Sequence, residues 1–226
     1  MVTLGGDARD AGISSAFLAT SWESVARRAI DLTVAVIGLL VMAIPMFVIG
    51  IVIRCTSEGP ALFRQQRVGL GGRTFTMYKF RTMRTGVGDE MLRELIAAEL
   101  RGEDTSVNGS FKLDNDPRVT KVGNFLRKTS LDELPQLINV LFGDMALVGP
   151  RPCLEWEARM FPAEFRPRFS VRPGITGLWQ VSGRADLSWS DAVRLDLAYV
   201  DNWSMVGDIL IIAKTLRAVF GRAGAY

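Results

Sequence analysis

The sequence predicts a mixed α/β protein that is attached to a membrane by one N-terminal hydrophobic segment. Three features indicate this fold class: a long uncharged apolar run, a pair of segments typical of a β-hairpin, and several helical segments in a more polar remainder. The chain has 226 residues, of which 48% are hydrophobic and 23% are charged. This composition is typical of a folded protein rather than a disordered one.

The apolar run extends from Leu32 to Ile53 and contains no charged residue. A helix needs about 20 such residues to cross the hydrocarbon core of a bilayer. A buried core helix and a simple membrane span with a proline kink are the two alternatives. Two details favour a re-entrant helix hairpin instead. Pro45 lies near the middle of the run, and arginines flank it at Arg27, Arg28 and Arg54.

Basic residues at both ends have a consequence for the topology of this segment. The positive-inside rule keeps basic residues on the cytoplasmic side of a membrane, and a helix that obeys it at both ends must enter and leave by the same face. We therefore expect Pro45 to break the membrane helix, because proline removes a backbone hydrogen bond. The sequence predicts a leader at 1–26, a re-entrant membrane helix at 27–54 and a cytoplasmic domain at 55–226.

The remainder of the chain alternates between short strands and helices. Aromatic and β-branched residues predict a hairpin of Ala61–Arg67 and Thr74–Arg81 around a Gly-rich turn. We predict helices at Glu90–Leu100, Lys121–Lys128, about Leu134–Phe142 and Asp191–Trp203, and an amphipathic helix at Ile209–Phe220. The last helix either packs on the domain or lies in the membrane interface. A polar loop is expected at Arg101–Lys112, and irregular structure is expected at Val148–Pro152 and Arg172–Gly177.

The composition excludes several kinds of chemistry. The chain has no histidine, which excludes Ser-His-Asp and Cys-His catalysis and His-containing zinc sites. Cys55 and Cys153 are too few for a Cys-only zinc site and do not form a disulfide framework, so a reduced, cytoplasm-facing protein is expected. Lipidation of Cys55 is a minor alternative. The net charge is only +3 and the arginines are scattered, so nucleic acid is not an expected partner.

The densest chemical signal lies between Arg127 and Gln136, where adjacent carboxylates stand beside hydroxyls and cations. Ser130 and Glu133 have the spacing of a helix capping box, which is a purely structural explanation. Pro135 weakens that explanation, because it is better tolerated if the helix begins at Asp132 or later. Asp132 would then lie at a helix N-terminus, where negative charge is favoured. Capping and catalysis both remain open on spacing alone.

Cationic residues recur in predicted loops and at strand ends, often beside glycine or proline. Arginine binds phosphate through two parallel hydrogen bonds, although most arginines are simply solvated surface charges. The candidates are Lys79, Arg81, Arg118, Arg127, Arg151, Arg172 and Arg184.

Six ordered motifs carry a family resemblance that extends from about Arg27 to Phe220. They are Tyr78–Met83, Asp116–Thr120, Ser130–Gln136, Val148–Pro152, Arg172–Gly177 and Trp179–Arg184. With these motifs the chain resembles the bacterial sugar transferases, which are monotopic polyprenyl-phosphate phosphoglycosyl transferases. The resemblance implies a cytoplasm-facing catalytic α/β domain with amphipathic interfacial helices, sunk into the bacterial inner membrane by a re-entrant helix. Members commonly break that helix at a Ser-Pro pair, whereas here Ile44 precedes Pro45.

The resemblance also implies a reaction and a set of site residues. Asp132 would attack a UDP-sugar, release UMP and form a phosphosugar-aspartate, which undecaprenyl phosphate would then resolve. Mg²⁺ would be the cofactor, held by Glu133 and shared with Asp132. The phosphates would be bound by Lys79, Arg81, Arg118, Arg127 and Arg151, and the nucleotide sugar by Arg172, Gln180 and Arg184.

The final block of motifs resembles members that use UDP-glucose or UDP-galactose to initiate polysaccharide synthesis. The partners expected are this donor, the polyprenyl acceptor and membrane lipid, with a homodimer as one alternative for the oligomeric state. A membrane-anchored scaffold without catalysis is a competing hypothesis, but such a protein is expected to lose Asp132 or Glu133. A different membrane enzyme of phosphorylated lipids is a further alternative.

Overall fold

The computed structural model describes residues 21–84, 93–94, 96–98, 101, 103, 118–183 and 187–220. The helices are α1 (Ser21–Thr56), α2 (Lys121–Lys128), α3 (Gln136–Phe142), α4 (Glu155–Met160), α5 (Leu178–Val181), α6 (Trp189–Asp201) and α7 (Met205–Phe220). The strands are β1 (Leu62–Val68), β2 (Thr74–Phe80), β3 (Ala146–Val148) and β4 (Gly174–Thr176). Short 3₁₀ turns occur at Leu70–Gly72, Leu131–Glu133 and Ala163–Ser170.

Most of the predicted elements are confirmed. Strands β1 and β2 form the expected antiparallel hairpin. The bounds of α2 are as predicted, and those of α3, α6 and α7 differ from the predicted bounds by at most four residues. In the predicted helix at 90–100, the described residues 93–94 and 96–98 are helical. The predicted polar loop lies almost wholly outside the described residues.

The expectation of irregular structure at Val148–Pro152 and Arg172–Gly177 is wrong in part. Strand β3 ends at Val148 and β4 occupies Gly174–Thr176, and the two strands pair in parallel, whereas residues 149–152 are irregular as expected. Each strand has only three residues, too few to show an alternating pattern. The prolines lie just outside the paired residues, and Pro173 accepts a hydrogen bond from Ala146 at 2.8 Å. A Cβ atom on Gly174 would lie 2.1 Å from the Gly149 nitrogen, so the two backbones approach as closely as they do only because glycine occupies these positions.

Helix α1 packs on the domain along one face and exposes an apolar face along its length. The packed positions recur every three or four residues: Asp31, Ala35, Gly38, Met42, Met46, Ile49 and Ile53. On the opposite side Leu40, Ile44 and Phe47 are 74%, 77% and 70% exposed. Only 6% of the most apolar 18-residue window is buried, which excludes the buried core helix. By length and composition, the helix is able to cross a membrane.

The helix continues without interruption through Pro45, so the predicted break at this residue is not observed. Proline removes one backbone hydrogen bond of a helix, and here the packed face runs through the proline position from Met42 to Met46 and Ile49. Packing on both sides of Pro45 supports the helix across the missing bond. The same-face topology of α1 stays a prediction.

Hydrogen bonds attach both ends of α1 to the same domain. At the N-terminal end, Arg27 donates to the Val148 carbonyl at 2.6 Å, and the Asp31 carboxylate accepts from the Leu147 amide at 3.0 Å. At the C-terminal end, Arg81 donates to the Ser57 carbonyl and hydroxyl, each at 2.9 Å.

A fully buried amide joins α3 to the hairpin. The Asn139 side chain, which is 0% exposed, donates to the Thr76 carbonyl at 2.7 Å and accepts from the Tyr78 amide at 3.1 Å. Because Asn139 satisfies backbone groups on β2, it fixes α3 beside that strand. The 3₁₀ turn before α3 is thereby held next to the C-terminal end of β2.

A buried ion pair fixes the loop after β3. Arg168 and Asp196 are 5% and 2% exposed, and their side chains meet at 2.5 Å. The Arg168 guanidinium also lies 4.8 Å from the centre of the Phe161 ring. It donates to the Arg151 carbonyl at 2.9 Å, while the Asp196 carboxylate is hydrogen-bonded to the Arg151 backbone. Burial raises the pKa of Asp196 to about 6, and Arg168 is the main opposing influence.

We expect Arg168→Met to lower the free energy of unfolding by about 3–5 kcal/mol, because it leaves the Asp196 carboxylate buried without its cation. The double variant Arg168→Met/Asp196→Leu should recover most of that loss, since apolar replacement of a buried pair is often neutral. Denaturant unfolding in detergent micelles measures both values. A double variant as unstable as Arg168→Met would contradict this explanation.

Candidate active site

Polar side chains from the hairpin, the 3₁₀ turn, the loop after β3 and α5 converge in one cleft. We define the cleft by Arg67, Lys79, Glu133, Gln136, Arg151 and Gln180. These residues are far apart in the sequence, and the folding of the chain brings them together. The free space between them is about 10 Å³, which is close to the volume needed for a single water molecule.

The hairpin register explains how the cations of the cleft share one face. Successive side chains of a strand point to opposite faces, so Lys79 and Met77 lie on the same side of β2. Arg67 pairs with Phe75 and therefore lies on that side as well. The Lys79 ammonium extends from this face to the Glu133 carboxylate, and the two atoms are 2.9 Å apart.

The turn that carries Asp132 and Glu133 has an unusual backbone. Ser130 precedes it with a φ of 55°, the one positive value among the described non-glycine residues. Its side chain makes no capping hydrogen bond, so the capping-box explanation of this motif is not supported. Pro135 lies immediately before α3, as expected for a helix that begins after Asp132. Strained backbone of this kind is concentrated at functional sites.

Asp132 is a buried carboxylate among charged neighbours. It is 8% exposed, and burial raises its pKa to about 6, with Glu133 adding to the rise. The positive charges of Lys79 and Arg127 act in the opposite direction and lower the pKa. At neutral pH the carboxylate is therefore largely ionised, although it is poorly solvated. A buried ionised carboxylate of this kind is suited to attack at an electrophilic centre.

The two carboxylates fit a Mg²⁺ ion that is completed by substrate. Among the described residues, no group of three or more His, Cys, Asp or Glu side chains is placed to hold a metal ion. Mg²⁺ is usually bound through one or two carboxylates together with water and substrate phosphates. Glu133 retains 27% side-chain exposure at the cleft, and Asp132 is adjacent to it. The donor set therefore suits an ion that binds with a phosphate ligand.

The cations predicted from the sequence do not all lie in the cleft. Two cations, Lys79 and Arg151, line it together with the uncharged Gln180. Arg127 acts electrostatically on Asp132. Arg81 is buried at the end of α1, where its Nε and Nη1 atoms have no hydrogen-bond partner among the described residues.

Two other predicted cations, Arg118 and Arg172, are not among the residues that line the cleft. The Arg118 backbone accepts a hydrogen bond from the Arg84 amide beside the short bridge of Met83 and Val119. Arg172 lines a second cavity instead of the cleft. Arg184 lies outside the described residues.

Sequence reasoning missed two residues of the cleft, Arg67 and Gln136. The alternation of β1 carried a usable signal for Arg67, because its pairing with Phe75 places it on the face of Lys79. Gln136 is 3% exposed and begins α3 directly after Pro135. Its position in the Ser130–Gln136 motif was the available signal, but sequence spacing does not show which way a side chain points.

Comparison with known proteins places these features in a family. The model of the family described as bacterial sugar transferase matches residues 22–222. The undecaprenyl-phosphate galactose phosphotransferase of Salmonella typhimurium is 49% identical over 170 residues, which cover 74% of this chain and 35% of the relative. The galactosyl transferase CpsE of Streptococcus agalactiae is 45% identical over 202 residues, or 89% of this chain and 43% of the relative.

A shorter relative matches over nearly its whole length. The exopolysaccharide production protein ExoY of Sinorhizobium fredii is 40% identical over 203 residues, which cover 89% of this chain and 88% of the relative. The chain thus spans less than half the length of the first two relatives and most of the third. Because the family model matches nearly the entire chain, the protein belongs to the bacterial sugar transferase family.

Proposed function

We propose that this protein transfers a hexose-1-phosphate from a UDP-sugar to undecaprenyl phosphate and releases UMP. The observation that carries the proposal is the buried Asp132 carboxylate beside the Lys79–Glu133 ion pair. Two relatives support it, since one is a galactosyl transferase and the other is an undecaprenyl-phosphate galactose phosphotransferase. UDP-glucose and UDP-galactose are the donors we propose, and polysaccharide initiation is the proposed role.

In the first step, an oxygen of the ionised Asp132 carboxylate attacks the β-phosphorus of the UDP-sugar. A new P–O bond forms to Asp132, and the bond between the β-phosphorus and the bridging oxygen breaks. UMP leaves with that bridging oxygen, and the hexose phosphate remains on Asp132 as an acyl phosphate. Aspartate serves as a covalent nucleophile at phosphorus in other enzymes.

In the second step, the phosphate of undecaprenyl phosphate attacks the same phosphorus. The acyl phosphate bond breaks, Asp132 is regenerated as a carboxylate, and the product is an undecaprenyl diphosphate sugar. The acceptor phosphate is already anionic near neutral pH, so this step needs little help from a general base. That agrees with a chain that contains no histidine.

The side chains of the cleft supply charge neutralisation and position, which dominate catalysis of phosphoryl transfer. Lys79, Arg67 and Arg151 line the cleft and would bind the diphosphate of the donor. Glu133, with Asp132 beside it, would hold Mg²⁺, which neutralises charge on phosphate oxygens.

We also propose that the protein is monotopic and lies on the cytoplasmic face of the inner membrane. The contacts of Arg27 and Arg81 attach the two ends of α1 to one domain, which supports entry and exit of the helix on one side. The exposed face around Ile44 would then lie in the hydrocarbon of a single leaflet. Arginines at both ends agree with the positive-inside rule.

Asp132→Asn should abolish UMP release from a UDP-sugar, because an amide is not a nucleophile for this step. Purified protein in detergent would be incubated with Mg²⁺, undecaprenyl phosphate and a panel of UDP-sugars, and UMP would be measured for each. We expect loss of at least about a thousandfold in rate for the best donor. Asp201→Asn, at an exposed site, is the matched control and should retain release. Near wild-type UMP release by Asp132→Asn would show that another residue is the nucleophile.

The kcat/KM of the first step should rise with pH around a midpoint of about 6, because burial raises the pKa of Asp132 to about 6 in the free protein and only the ionised form attacks. Single-turnover UMP release without acceptor, at donor concentrations below saturation, measures this profile between pH 5 and 8, where the UDP-sugar does not titrate.

Lys79→Gln should move the midpoint upward, since Lys79 lowers the pKa of this carboxylate. Lys121→Gln, at an exposed site, should leave the midpoint unchanged. An unmoved midpoint in Lys79→Gln would contradict the electrostatic account.

Cysteine labelling should place both ends of α1 on the cytoplasmic side. The native Cys55 is exposed at the C-terminal end, and Val25→Cys in a Cys55→Ser background reports on the N-terminal end, where Val25 is 67% exposed. A membrane-impermeant maleimide should label both thiols in inverted vesicles and neither in right-side-out vesicles. Ile44→Cys should stay unlabelled in both. Labelling of positions 25 and 55 from opposite sides would exclude a re-entrant topology.

A further inference from the structure

A second cavity of about 220 Å³ lies at the N-terminal ends of β3 and β4. It is separate from the cleft, which adjoins the C-terminal end of β3 through Arg151. Its walls come from the first turns of α1, the residues before β4 and the loop before α7. The polar side chains that line it are Ser24, Arg27, Arg28, Asp31, Ser170, Arg172 and Trp203.

The charges around this cavity do not balance. Three arginines line it, whereas Asp31 is the one carboxylate among the lining residues. A second carboxylate, Asp208, lies 3.2 Å from Arg27. Three guanidinium groups against two carboxylates leave an excess of one positive charge. A cavity with this excess attracts an anion.

The hydrogen bonds of the arginines show which guanidinium group is able to bind an anion. Arg28 donates to the Val140 and Leu141 carbonyls at the end of α3, which is a structural role that needs no ligand. Arg172 uses only its Nε atom in this way, on the Gly143 carbonyl at 2.9 Å. Both terminal amino groups of Arg172 lack a hydrogen-bond partner within the described residues. Paired amino groups of a guanidinium have the geometry that binds a phosphate bidentately.

Exposed apolar side chains lie close in the sequence to residues that line the cavity, on α1 and on α7. Trp22 and Val25, at the start of α1, are 63% and 67% exposed, and Val206 and Ile209, at the start of α7, are 67% and 60% exposed. Trp203 lines the cavity next to α7, and tryptophan is enriched at the depth of lipid headgroups. We expect insertion of these apolar side chains into lipid to bring the cavity close to the headgroups.

We propose that this cavity binds the phosphate of an anionic phospholipid, with Arg172 as the main ligand. Basic pockets beside membrane helices are known to bind anionic headgroups. The bound lipid would connect the N-terminal end of α1 to the start of α7 and so fix the depth of the domain in the membrane. This site is independent of the reaction proposed for the cleft, because no residue of the cleft lines it.

Binding of short-chain dioctanoyl phosphatidylglycerol to the purified full-length protein in neutral detergent tests the proposal. We expect Arg172→Gln to weaken this binding at least about fivefold and Arg172→Lys, which keeps the charge, to retain part of it. Arg166→Gln removes an exposed arginine outside the cavity and should bind like the wild type. Dioctanoyl phosphatidylcholine should bind at least about fivefold more weakly. Melting temperatures of all variants show whether each is folded.

Three outcomes would overturn the proposal. Equal affinity of folded Arg172→Gln and wild type for phosphatidylglycerol would exclude Arg172 as a ligand. Equal weakening by Arg172→Gln and Arg166→Gln would reduce the effect to general surface charge. Inorganic phosphate that competes with phosphatidylglycerol at similar concentration would assign the cavity to a soluble anion and exclude the lipid headgroup.

Discussion

The environment of Asp132 depends on the ion pair between Lys79 and Glu133, which joins the hairpin to the 3₁₀ turn across 2.9 Å. Burial alone would favour a neutral Asp132, and the positive charges of Lys79 and Arg127 oppose that effect. The balance leaves a carboxylate that is ionised at neutral pH but weakly solvated, which is the state that a nucleophile needs. Asn139 maintains the geometry, because it ties α3 to β2 and so holds the turn beside Lys79.

Helix α1 and the domain form one packed unit. The stripe from Asp31 to Ile53 packs along the domain, while the face that carries Leu40 and Ile44 remains apolar and exposed. A free apolar surface of this size requires lipid or protein to cover it. Arg27 of this helix donates hydrogen bonds to Val148 and Tyr199. Val148 lies only three residues before Arg151, which lines the cleft. A contact that attaches the membrane helix is therefore close in the sequence to a residue of the cleft.

Sequence reasoning succeeded where local patterns and chemistry agree. Aromatic and β-branched residues around a Gly-rich turn predicted the hairpin that carries Lys79. The position of Pro135 correctly indicated that the helix begins after Asp132. It failed where tertiary contacts decide the outcome. The strands β3 and β4 are too short for a pattern and form through the close approach of Gly149 and Gly174. Packing on both sides of Pro45 keeps α1 continuous at this residue. Arg172 lies at the N-terminal end of β4, away from the cleft, and its sequence motif does not indicate this position.

The covalent intermediate on Asp132 is the central claim, and trapping it is the most direct test. The protein would be mixed with a UDP-sugar that carries ³²P at the β-phosphate, without acceptor, and then quenched and digested. The account predicts label on the peptide that contains Asp132, loss of the label on a chase with undecaprenyl phosphate, and no label in Asp132→Asn. Release of UMP in the presence of acceptor with no labelled protein at any time, or label on a different residue, would contradict it.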